Sequence, residues 1–151
     1  MDDVDTEKVL ALAKQLRAAI EATSFSTPPI DRFPKGCCGD ATIFLSEYLM
    51  EHGFITTYYC GLHPFEEEDR NPQSHAWVVL DGGLIADITG DQFKDKEEFL
   101  NYDIPVYVGK MDEFHRLFSS KQVEHIGGID CYDSHSRGIL RAQYKRIKEN
   151  L

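Results

Sequence analysis

Two short apolar runs separated by Asp81-Gly82-Gly83 constrain this chain more than any other feature. His75 to Leu80 (HAWVVL) and Leu84 to Ile88 (LIADI) are rich in β-branched and aromatic residues, which suit extended backbone. The aspartate and glycines between them are hairpin residues, since glycine takes positive φ freely. The segment is therefore expected to fold as an antiparallel hairpin, and its register decides which side chains meet. A three-residue loop sets Leu80 opposite Leu84, Trp77 opposite Asp87 and His75 opposite Thr89. His75, Trp77 and Asp87 then share one face. A two-residue Gly82-Gly83 turn would send Asp87 to the face away from His75.

Helical signals dominate the N-terminal third. Val9, Leu12, Leu16 and Ile20 recur at spacings of three and four, with Lys8, Lys14 and Arg17 between them, which predicts a helix over Thr6–Ala22. Pro28, Pro29 and Pro34 punctuate a loop over Thr23–Lys35. A second helix is expected over Asp40–His52, stopped by Gly53; its apolar face is wide, as for a central element. Ile55–Leu62 reads as a strand. His63–Ser74 is a polar loop containing Glu66, Glu67, Glu68 and Asp69, either a solvated connection or a lid near a site. Further on come a helical turn at Glu97–Asn101, a strand at Pro105–Gly109, a short helix at Asp112–Phe118 and a final helix at Ser134–Asn150. Helices followed by a hairpin-rich antiparallel sheet define an α+β class, and 151 residues suit a single domain over 1–151.

Charge and composition exclude several functions. The net charge of −10 and pI of about 4.9 repel phosphate backbones, so no nucleic-acid partner is expected. No apolar run approaches ~20 residues, so no membrane span is expected. The acidic start MDDVDTEK lacks the apolar core of a secretory signal, and four cysteines then read as free thiols in a reducing compartment. The expected location is cytoplasmic, a reading that leaves delivery as an effector open.

Two of those cysteines sit together in FPKGCCGDATIFLSEYL. Cys38, followed by Gly39 and Asp40, stands at a helix start. Unsatisfied amides and the positive end of the helix dipole favour thiolate there, and the same amides can hold an oxyanion. Cys37 lies one residue further from the helix and is read as a small buried hydrophobe. A cysteine nucleophile needs a base. Of the six histidines, His52 suits a helix-end role, His63 precedes a proline at a strand end, and His115, His125 and His135 lie in polar segments read as surface. His75 opens an apolar strand, where a polar residue needs a reason. A carboxylate at Asp87, amid apolar neighbours, needs a partner too, and an imidazole N–H is one.

Cysteine at a helix start, histidine on a strand and aspartate on the next strand is also a family order. FPKGCCGDATIFLSEYL, SHAWVVLDG and LIADITGDQF resemble the bacterial papain-like (transglutaminase-like) cysteine proteins, a group that includes peptidases and toxin or effector domains. The match runs from about Arg32 to Phe93, under half of the chain. It implies a papain-like fold and a catalytic triad of Cys38, His75 and Asp87 acting on an amide bond through an acyl-enzyme. Peptidase, glutamine deamidase and transglutaminase activities share that intermediate, with a protein or peptide as substrate and no cofactor or metal. Papain-type enzymes place an oxyanion-hole glutamine shortly before the nucleophile, where this chain has Arg32 and Phe33. Gly39, Gln73, Trp77 and Gln92 are the candidates for substrate or oxyanion contacts.

Other readings compete with this one. A non-catalytic protein-binding module on the same fold would need no reactive thiol. A metal site could draw on Cys37, Cys38, His75, Cys131 and His135, although only Cys131 and His135 approach ligand-pair spacing. A redox pair at Cys37 and Cys38 would strain the backbone. Arg137, Arg141, Lys145, Arg146 and Lys148 make the final helix the basic patch of an acidic chain, suited either to the helix dipole or to an acidic partner.

Overall fold

The structure, a computed structural model, describes residues 5–26, 30–63 and 73–151, without the side chains of residues 120 and 121. The acidic segment Glu66–Asp69, expected as a loop or lid, lies outside the described residues.

Asp5 caps the first helix, α1 (Thr6–Glu21), by accepting from the Lys8 amide at 3.1 Å. Its apolar stripe, including Val9, Leu12, Leu16 and Ile20, is buried as the periodicity requires. The second helix, α2 (Cys38–Glu51), begins two residues earlier than Asp40. Ala41, Phe44, Leu45 and Leu49 on it are almost wholly buried, so it is the central helix. The strands are β1 (Thr56–Leu62), β2 (Ser74–Leu80), β3 (Leu84–Asp87), β4 (Tyr107–Gly109) and β5 (Ser120–Ile126). They form one antiparallel sheet in the order β4-β3-β2-β1-β5. A four-residue helix, α3 (Glu113–Arg116), precedes β5, and α4 (Ser134–Lys148) closes the described chain. The class is thus α+β with an antiparallel sheet.

The hairpin takes the three-residue loop. Leu80 lies opposite Leu84 and Val78 opposite Ala86. Gly82 and Gly83 hold φ of 79° and 80°, a region that side chains disfavour. The edge strand β5 is absent from the sequence reading, and for a physical reason. Its apolar residues Val123 and Ile126 are 57% and 73% exposed, so it joins β1 through backbone bonds without an inward hydrophobic stripe.

The sheet separates two cores. Val78, Leu80 and Ala86 pack with α1, α2 and α4 in a mainly aliphatic cluster. Trp77, Ile85 and Tyr59 pack instead with Phe93, Phe99, Tyr102, Phe114 and Phe118, supplied by short 3₁₀ turns and α3. On α4, Arg141 reaches Asp130 at 2.6 Å and Glu47 at 3.2 Å, and Lys148 reaches Glu51 at 3.0 Å. Part of its basic face therefore meets acids of the same chain. Among the described residues no helix is long and apolar enough to cross a membrane.

Candidate active site

The site begins at the start of α2. Cys37 occupies the N-cap position and makes no side-chain cap, so the first amides of the helix lack the usual oxygen partner. Cys38 is the first residue of the helix itself, half-buried, rather than two residues ahead of it. Its thiol therefore sits in the first turn, where the dipole is felt most. Cys37 is 1% exposed and belongs to the aliphatic core. Burial, together with the neighbouring Cys38 and Asp40, pushes its thiol up to about 12, which keeps it neutral at ordinary pH. The two adjacent cysteines thus face different surroundings, one dry and one open.

β2 and β3 bring the next two groups. His75 Nε2 lies 2.6 Å from Asp87 Oδ2, and both side chains are essentially buried. Asp87 Oδ1 accepts from the Thr89 amide at 2.9 Å, which fixes the carboxylate. With Nε2 on Asp87, Nδ1 is the ring nitrogen left for other partners, and the nearby Cys38 thiol favours the protonated ring. Burial works against a charged His75. The Asp87 charge and hydrogen bond, with the Cys38 contact, outweigh burial and raise His75 to about 9. Burial also opposes an ionised Asp87, but the charge of His75 and the bonds from His115 and His75 hold it well below the usual carboxylate range. Rings of Phe93, Phe114 and Phe118 surround His75 at centroid distances of 5.2, 5.6 and 5.3 Å and leave it little freedom to turn.

The other expected residues separate into two groups. Gln92 Nε2 lies 3.4 Å from His75 Nδ1 and donates to the Thr89 carbonyl at 3.0 Å. Its Oε1 accepts from the Gly36 amide at 3.4 Å, so it spans from the histidine to the approach of α2. Gln73 and Gln92 line the same cavity of about 260 Å³ with Lys35, Gly36, Phe93, Asp95 and Lys96. Gly39 lies under Tyr58, whose hydroxyl would be 3.3 Å from a Cβ placed there. Trp77, by contrast, is 1% exposed and stacks on Tyr59, with its ring centroid 5.5 Å from the imidazole, so it packs the site from within. Asp91, the nearest other carboxylate in the sequence, is held by Arg17 through two bonds of 2.7 and 2.8 Å. Arg17 also donates to the carbonyls of Ile88 and Pro105, both at 2.9 Å, tying α1 to the segment that carries Gln92. That arginine, read as part of a polar face, is only 9% exposed.

One further group at the site is a correction. His115, expected at the surface, is 1% exposed. Its Nε2 lies 2.8 Å from the same Asp87 Oδ2, and its Nδ1 lies 2.6 Å from Asp112 Oδ1. A sequence signal existed: Asp112 stands three residues ahead as the N-cap of α3, and the histidine lies between Phe114 and Phe118, both buried.

His75, Asp87 and His115 also form the group of metal-ligand types that the described residues bring together. Their spacings of 2.6 and 2.8 Å are hydrogen-bond lengths. Donors around a tetrahedral zinc ion stand about 3.3 Å apart, so these residues as placed do not fit one. Cys131 and His135 are exposed at the start of α4, and they are not gathered with Cys38 or His75. The Cys131 thiol donates to the Ile126 carbonyl at 3.1 Å.

What the geometry defines is a Cys-His-Asp constellation on an α+β fold, with the thiol at a helix start and the acid on the neighbouring strand. No family model matches the chain, and no curated protein or solved structure matches it at a significant level.

Proposed function

We propose that the chain is a thiol enzyme of the papain-like, transglutaminase-like kind, acting on an amide bond of a protein or peptide through an acyl-enzyme. The observation that carries this reading is His75 held by Asp87 at 2.6 Å on one nitrogen, beside the Cys38 thiol at the start of α2. In this mechanism the Cys38 sulfur attacks the carbonyl carbon as a thiolate, with its proton on His75. The developing oxyanion is held by the free amides at the start of α2, with Gln92 or Gln73 as the side-chain donor. His75 then gives its proton to the leaving nitrogen as the C–N bond breaks, which leaves a thioester on Cys38. A water or an amine then attacks the thioester carbon while His75 takes the nucleophile's proton, and the C–S bond breaks to return the Cys38 thiolate beside the imidazolium. Asp87 keeps the ring in the tautomer that presents Nδ1 to the sulfur. Water as second substrate gives peptidase or glutamine deamidase chemistry, and an amine gives transglutamination.

A panel of activity-based electrophiles tests the reading. Peptidyl, glutamine-mimic and ester warheads are incubated with the wild type and Cys38→Ala, and adducts are mapped by mass spectrometry. The expected result is a single adduct on Cys38, faster for one warhead class than iodoacetamide alone explains, and none on the variant. Adducts confined to Cys60 or Cys131, or a Cys38 thiol no faster than a free peptide thiol, would overturn the proposal in favour of a binding module.

A further inference from the structure

A triad needs one imidazole on its carboxylate, and here there are two. His75 Nε2 and His115 Nε2 reach the same Asp87 Oδ2, at 2.6 and 2.8 Å. The second ring is itself enclosed between acids, since its Nδ1 sits 2.6 Å from Asp112 Oδ1. An ionised carboxylate only accepts hydrogen bonds, and a neutral imidazole carries only one N–H. With a carboxylate on each nitrogen, a neutral His115 would point a lone pair at an oxygen. Placing the proton on either carboxylate instead is disfavoured. Asp87 already receives the His75 N–H and the Thr89 amide. Asp112 also receives the His115 amide at 2.8 Å as the cap of α3. The hydrogen-bond inventory therefore closes when His115 is an imidazolium. Burial opposes that charge on His115, but the bonds to Asp112 and Asp87 outweigh it and raise the group.

This cation has a consequence for the neighbouring ring. The centroids of His75 and His115 are 6.1 Å apart. A lone Asp87 would give His75 its whole attraction; a shared one divides it, and a like charge at this distance weakens His75's hold on its proton. Among the described residues, titratable groups reach the pair from several elements. Asp87 comes from β3, Asp112 from the start of α3, Cys38 from α2, and the rings of Tyr102 and Tyr107 flank His115 at 5.9 and 5.2 Å.

We propose that His115 is a positioning residue, a standing imidazolium supported by Asp112, which locks Asp87 towards His75 and sets the pH at which His75 releases its proton. The role rests on the thiol-enzyme reading for its purpose, a base that must both take and give a proton near neutral pH. The charge on His115 does not depend on that reading.

Nitrogen-detected NMR of the imidazole rings decides the matter on the full chain. In the wild type, both His115 nitrogens are expected to carry protons from about pH 5 to 8, while His75 titrates separately. His115→Gln, which keeps a donor and removes the charge, is expected to move the His75 titration up by about 1 pH unit or more. Asp112→Asn, which keeps the helix cap, is expected to make His115 titrate within the accessible range and to move His75 in the same direction. The alkaline limb of Cys38 alkylation by iodoacetamide should follow His75 in both variants. A single-proton, neutral His115 in the wild type at pH 6 to 7 would overturn the proposal, and that measurement needs no variant to fold. A folded His115→Gln protein whose His75 titrates within about 0.3 units of the wild type would also overturn it. Wild-type labelling read beside the His115 titration separates the two ideas: an inert Cys38 thiol with a charged His115 removes the thiol enzyme and keeps the imidazolium, and a reactive Cys38 with a neutral His115 does the opposite.

Discussion

One face of the sheet is built mainly from Ala, Val, Leu and Ile between three helices, and the other mainly from Phe, Tyr, Trp and two buried histidines between short turns. The site lies where they meet. Cys38 arrives with α2 from the aliphatic side, and His75 is held by the rings of the other. The difference is instructive because the two materials do different work. Aliphatic side chains stabilise in proportion to the area they bury and are indifferent to charge. Aromatic rings bury as much, but their electron-rich faces and positive edges also tolerate an imidazolium and restrict how it turns. Phe99 and Phe118 stack at 5.3 Å and Tyr102 and Phe114 at 3.8 Å, so the wall around His75 and His115 is itself interlocked. A cluster of buried ionisable groups is expensive anywhere; here it is enclosed by rings and closed by its own hydrogen bonds.

The largest effect is expected at the carboxylate of the aromatic face. Asp87→Asn keeps the shape of the side chain but can no longer neutralise two imidazoles, and its amide can hold His75 in the wrong tautomer. Cys38 labelling by its best electrophile should slow by roughly 10²–10⁴-fold at pH 7, with the adduct still on Cys38. A rate within threefold of the wild type would show that His75 needs no carboxylate, and the site would be a Cys-His dyad.

A paired core deletion separates packing from positioning. Leu45→Ala on the aliphatic side and Phe118→Ala on the aromatic side both remove fully buried side chains. Denaturant unfolding should show losses of about 2–5 and about 3–5 kcal/mol respectively. Only Phe118→Ala removes a wall of His75, so only it should also slow Cys38 labelling, by about tenfold or more at a temperature where both variants are folded. Equal labelling rates in the two variants would mean that the aromatic cluster merely stabilises the fold.

The same contrast explains what could be read from the sequence. α1 and the hairpin were legible because their signals are local: a 3.6-residue stripe in one, and alternation around Asp81-Gly82-Gly83 in the other. The hairpin register carried the meeting of His75 and Asp87 with it. α2 starts two residues ahead of the expected Asp40 because Cys37 takes the N-cap position with no side-chain bond, a start that no capping residue marks in the sequence. Arg17 sits four residues after Ala13 and three before Ile20, on the buried stripe, and its charge disguised that placement. His115 was hidden for a different reason. Its partners Asp87 and Asp112 come from separate elements, and no periodicity links a four-residue helix to a strand tip. β5 carried no stripe at all. The aliphatic half announces itself through pattern, and the aromatic half is assembled by tertiary contacts among turns.

The smallest effect is expected at Cys37, where the comparison narrows to two adjacent thiols. Cys37 is 1% exposed in the aliphatic core, and burial holds its proton on. Cys38, one residue on, is half-buried at the helix start, where its thiol helps to raise His75. Replacing Cys37 with Ala removes one sulfur from a packed region and leaves the helix start, the histidine and the carboxylate untouched. Cys38 labelling should stay within about tenfold of the wild type, a change of no more than about 1.4 kcal/mol in the barrier. Stability should fall only by the cost of a small cavity, about 1 kcal/mol. The decisive readout is the labelling rate against pH in Cys37→Ala and Cys38→Ala side by side. If Cys37→Ala abolishes labelling as completely as Cys38→Ala, the buried thiol takes part in the chemistry, and the division between a packing cysteine and a reacting one fails at its closest point.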